Sequence, residues 1–130
     1  MVKKTDWKTI DMPDQTAHFI FEKKLVAEDI EILKLGHLPQ EMEDKWFVYY
    51  ENDKLYFHRS WTGFCIYIVT ILPNQDTLDV IVNRNQEQYK ETDVKRDELN
   101  LTILINNLIK KNSDENKKLM KEYIKGSKKA

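Results

Sequence analysis

The stretch from Trp46 to Leu72 most constrains what this chain can become. It is the longest run rich in β-branched and aromatic residues, and it holds two of the three tryptophans and the only cysteine. Such side chains suit a pleated, half-buried surface. Trp46–Glu51 reads as a strand, Asn52-Asp53 as a tight hairpin turn, and Lys54–Trp61 as the returning strand. Thr62-Gly63 is the next turn, and Phe64–Leu72 a third strand. After a loop at 73–76, Thr77–Arg84 alternates cleanly, with Leu78, Val80 and Val82 on one face. Short connections favour antiparallel neighbours.

The flanks complete the outline. His18–Glu22 reads as a further strand. Ala27–Leu35 changes to a helical period through Ile30 and Leu33, with Gly36 as its C-terminal cap. Thr92 or Asp93 starts a helix that runs to about Lys111. Its stripe of Leu101, Leu104, Ile105 and Leu108, widened by Leu99, Ile103 and Ile109, is expected to lie deeply buried on the sheet. Ser113 opens a separate Lys-rich helix, with Leu119, Met120, Tyr123 and Ile124 as its apolar face. Residues 1–15 form an arm carrying Trp7 and Ile10. The expectation is one α+β domain: about five mostly antiparallel strands, with the C-terminal helices on one face.

Composition narrows the function classes. With 130 residues, 41% hydrophobic and 33% charged, the chain is of a size and balance to bury one core. A net charge of −1 gives no general reason for nucleic-acid or membrane adsorption. The local excess from Lys110 onward, eight lysines against three acids, reads as a solvated helix face. Without an apolar leader or spanning segment, the chain is expected to be cytoplasmic. The single Cys65 excludes an intramolecular disulfide and reads as a small buried thiol.

The candidate site lies at strand ends. Arg59 continues the parity of Leu55 and Phe57, and Arg84 that of Leu78, Val80 and Val82. Two such strands in a meander run parallel with one between them, which puts the arginines about 10 Å apart at ~4.8 Å per strand. Guanidiniums so spaced suit a diphosphate or paired carboxylates, with Trp61 and Tyr89 as flanking rings and His58 and Ser60 as nearby donors. Convergence needs one bulge or odd-length turn; in simple register Arg84 faces the other way. The alternative is that each arginine pairs with an internal acid such as Glu87 or Asp97. Three scattered histidines make a poor metal set, and no phosphate-cradling glycine motif occurs, so no metal or cofactor is expected. Ser60 and His58 share a face, yet no nucleophile elbow or oxyanion loop accompanies them; the balance leans away from an enzyme.

The strings Lys45–Glu51, Leu55–Gly63 and Val82–Tyr89 resemble a small bacterial family that occurs alone and as domains appended to ADP-ribosylglycohydrolases. The resemblance spans roughly residues 16–110. It implies an accessory role near ADP-ribose or nucleotide chemistry and assigns no catalytic residue. The chain has none of the acidic metal-binding motifs of the glycohydrolase domain. Two partners are therefore expected in order: an anionic small molecule, or a protein in an interaction or immunity-type module.

Overall fold

In the computed structural model, residues 1–129 are described, with side chains as far as Lys111. Five strands form one sheet: β1 (Thr16–Glu22), β2 (Trp46–Glu51), β3 (Lys54–Arg59), β4 (Cys65–Thr70) and β5 (Thr77–Asn83). The spatial order is β1-β5-β4-β3-β2, and every neighbouring pair is antiparallel. Helix α1 (Ala27–Leu33) and helix α2 (Val94–Lys129) pack on each other. The fold is α+β, with the long C-terminal helix against one face of the sheet. No described helix is long and apolar enough to cross a membrane.

Local chemistry sets the turns. Asn52 and Asp53 both take positive φ, 52° and 66°, the geometry of a two-residue hairpin matched to strand twist. Both residue types tolerate it better than most. Gly36 ends α1 with φ 72° and donates its N–H to Leu33 O. From there His37 forms an isolated bridge to Val48, which covers part of the outer edge of β2.

The core lies between sheet and helices. Leu101, Ile105 and Leu108 of α2 join Phe57, Tyr67, Val69, Val80 and Val82 in one buried cluster with Ile30 and Leu33. The expected helical stripe is narrower than its sequence pattern: Leu99 and Ile103 are exposed. At 100° per residue these two fall on the side opposite Leu101 and Ile105, and α2 meets the sheet along one side only. Backbone continuity also differs from expectation, since α2 passes Ser113 without a break. The apolar face expected at Leu119, Met120, Tyr123 and Ile124 lies outside the residues with described side chains.

The other face of the sheet is covered at its β2–β3 end by the N-terminal arm. Trp7 stacks on Phe47 at 6.4 Å, and Ile10 bridges Phe64. Hence His58 is buried although its parity points away from α2. Toward β1 and β5 the same face is open, with Ile20 and Ile81 exposed.

Gly36 gives a sharp test of this frame. A Cβ there would sit 2.4 Å from Val48 O, and the positive φ disfavours any L side chain. Gly36→Ala is expected to lower unfolding free energy by at least about 1–3 kcal/mol, the usual cost of such strain. Urea denaturation of the two proteins would measure it.

Candidate functional site

The site depends on one irregularity in the sheet. Phe57 pairs with Tyr67, but the next residue, His58, pairs with Cys65. Ile66 is therefore an extra residue in β4, a β-bulge that reverses side-chain parity on either side of it. Tyr67 faces α2 and Cys65 faces the N-terminal arm. The convergence condition for the arginines is met by this bulge. Arg59 stacks on Trp46, 4.4 Å from its ring, and lies 6.0 Å from the Tyr89 ring. Arg84 reaches Asp97, which also accepts from Tyr89. Both guanidiniums thus border the same cluster on the helix side of the sheet.

They differ in what holds them. Arg84 forms an ion pair with Asp97 and donates to Glu91 O at 3.0 Å. Asp97 is fully buried and also lies 2.9 Å from Tyr67 OH and 3.0 Å from Tyr89 OH. Asn100 donates to Tyr67 OH at 3.0 Å. The position of Asp97 follows from helical spacing: it is one turn before Leu101 on the core face, at the positive end of α2. Asp93 caps that end, accepting from Lys95 N–H at 2.9 Å. Burial pushes both tyrosine hydroxyls above their ordinary range, so they stay protonated donors. Tyr89 is therefore fixed by its hydroxyl, and Arg84 is a structural cation.

Arg59 makes no ion pair and no side-chain hydrogen bond with any described residue. Beside it opens a cleft of about 750 Å³. Its walls come from three segments: Met42, Glu43 and Lys45 before β2, Ser60, Trp61, Thr62 and Phe64 between β3 and β4, and Glu87 and Gln88 after β5. Trp61 is 65% exposed, yet its indole N–H donates to Met42 O at 2.8 Å. The ring is thus held as a wall rather than left free. Ser60 is buried, and its hydroxyl donates to Asp44 O at 2.7 Å. Lys45 and Arg59 are opposed by Glu43 and Glu87, so the lining carries no net formal charge.

Of the six residues singled out in the sequence, Arg59, Ser60 and Trp61 line the cleft. Arg84 and Tyr89 stand behind it in the Asp97 cluster. His58 lies on the other side of the sheet, stacked on Tyr49 at 5.6 Å. Its Nδ1 is 2.8 Å from Gly63 O, and burial pulls the imidazole below its ordinary value. Ser60 and His58 consequently do not form a nucleophile–base pair. Sequence reasoning missed Met42 and Lys45; only the indole bond of Trp61 reveals that the segment before β2 is a wall.

The Asp97 cluster predicts a stability effect rather than a binding effect. Removing one partner of a buried pair leaves the other charge uncompensated. Asp97→Ala is expected to destabilise the fold by about 3–5 kcal/mol, read from urea unfolding monitored by tryptophan fluorescence.

With this geometry in hand, comparison with known proteins adds no relative: no protein-family model, curated protein or solved structure matches the chain.

Proposed function

We propose that this chain is a non-catalytic binding module, and that the cleft beside Trp61 takes a ring-bearing small molecule with one anionic group. The observation that carries this reading is Arg59. Its guanidinium lies over the Trp46 ring, 4.4 Å from its centroid, at the edge of an open cleft, with its donors unclaimed by any described carboxylate. A partly buried arginine supported on one side by a ring favours a carboxylate or phosphate in bidentate contact. Trp61 and Phe64 offer apolar surface for the rest of the ligand.

The two-arginine diphosphate clamp gives way to a single-anion site. Arg84 is taken by Asp97, and Glu43 and Glu87 would repel a second phosphate at the cleft. The same acids suit ligand hydroxyl or amino donors. Among nucleotide-like ligands, a nucleoside monophosphate fits this balance better than ADP-ribose.

Calorimetry and thermal shift with AMP, ADP-ribose and pyrophosphate test the reading. AMP should bind, pyrophosphate should not, and Arg59→Ala should weaken AMP binding by roughly ten- to a hundredfold, as expected for a lost charged hydrogen bond. Trp61→Ala should weaken it without lowering stability. An absence of binding by all three ligands, or AMP binding unaffected by Arg59→Ala, would refute the proposal.

A protein-interaction module is the second reading. It rests on the adjacent exposure of Met42 at 75% and Trp61 at 65%, an apolar pair that a partner surface would cover.

A further inference from the structure

A second cavity, of about 300 Å³, lies on the opposite side of the sheet, under the N-terminal arm. Its lining includes Lys4, Asp11, Met12, Tyr49, His58 and Cys65. His58 and Cys65 are direct cross-strand partners, so their Cβ atoms stand about 4.5–5.5 Å apart on one face. Met12 lines the same cavity from the arm, whose Ile10 N–H donates to Gly63 O at 2.8 Å.

The protonation of His58 follows from its partner. A carbonyl oxygen only accepts, so the proton sits on Nδ1, and Nε2 presents a lone pair. That Nε2 is buried and has no hydrogen-bond partner among the described residues. His58 as a whole is 2% exposed. An unmet buried acceptor costs about 1–3 kcal/mol, a cost that calls for an explanation. An imidazole whose N–H is fixed by a backbone carbonyl, with the other nitrogen bare, is the state in which histidine binds metals. Around it the cavity offers a thiol and a thioether.

We propose that Met12, His58 and Cys65 form a three-coordinate site for a soft monovalent cation, Cu(I) in class. The ligand set selects it: thiolate and thioether sulfur with imidazole nitrogen suit Cu(I) and disfavour hard oxygen-seeking ions. Charge selects it again. A thiolate with a monovalent ion is neutral, whereas a divalent ion would leave a net positive charge buried. Asp11 and Glu51, the two acids of the lining, do not alter that balance: both are exposed, and Asp11 is paired with Lys4 at 3.5 Å. Among the described residues no three His, Cys, Asp or Glu side chains group as a metal site, so the Met12 thioether is essential here. Without the ion, the Cys65 thiol donates to Tyr67 O at 3.8 Å, a bond that metal binding would replace. On binding, the S–H bond breaks, sulfur bonds to Cu(I), and the proton leaves to solvent, with no change of oxidation state.

The test is anaerobic titration of the full chain with Cu(I) against bicinchoninate. The expected result is one ion per chain, with about one proton released when calorimetry is repeated in two buffers. The His58 Nε2 resonance should move on adding Cu(I) or Ag(I). Cys65→Ala should lose the site, and Met12→Leu should weaken it at least by the roughly 10–100-fold that even an outer-shell change costs. No uptake, uptake without movement of Nε2, or uptake unchanged in Met12→Leu would overturn the site. Met12 is half-exposed on the arm, so that variant and the Nε2 resonance decide the matter even where Cys65→Ala fails to fold.

Discussion

Where β3 uses two residues, Phe57 and His58, β4 uses three, Cys65 to Tyr67. Without Ile66 in the gap, residues 65 and 67 would share a face, as alternate residues in a strand do. With it, the Tyr67 ring enters the helix-side core and its hydroxyl meets Asp97, while Cys65 turns to His58 under the arm. The bulge also aligns the end of β3 with the end of β5, so Arg59 and Arg84 border one cluster. Both cavities lie within reach of this shift, one on each side of the sheet. Bulges are known to re-aim side chains near functional sites, and here one extra residue re-aims two.

The two arginines show how burial sorts like charges. Asp97 is completely enclosed and must be paired, and Arg84 is the cation that α2 brings to it. Two tyrosine hydroxyls fill its other acceptor positions. Such a network fixes how α2 sits on the sheet, since each member orients the next. Arg59 escapes this arrangement. Its support is an aromatic face rather than a carboxylate, which steadies the group and leaves its guanidinium donors without a partner among the described residues.

Much of the frame was legible in the residues themselves. Period-two alternation placed Leu78, Val80 and Val82 in the core, and Asn52-Asp53 and Gly36 marked a turn and a cap because positive φ restricts which residues fit. Strand ends were less legible: β3 stops at Arg59 and β4 begins at Cys65, because the turn between them includes Ser60 and Trp61. Strand parity shows that convergence needs a bulge or an odd-length turn, but no residue type marks where it falls. The helix stripe was overread because Leu99 and Ile103 are apolar without being buried. For the site, the pairing of Arg84 with Asp97 was among the weighed alternatives. The walls from Met42 and Lys45 were not, because they depend on a tertiary hydrogen bond rather than on local pattern.

The N-terminal arm ends up holding a loop whose cleft it does not line. Trp7 Nε1 donates to Ser60 O at 2.7 Å, and Ile10 N–H to Gly63 O. Both acceptors belong to the tight turn from which Trp61 projects, and Gly63 lies so close to Lys8 that a Cβ there would be 3.2 Å from its carbonyl. The first dozen residues therefore act as a strut. A fusion partner or a protease cut that lifts them would slacken the indole wall on the far side, reshaping the cleft without touching a single residue that lines it.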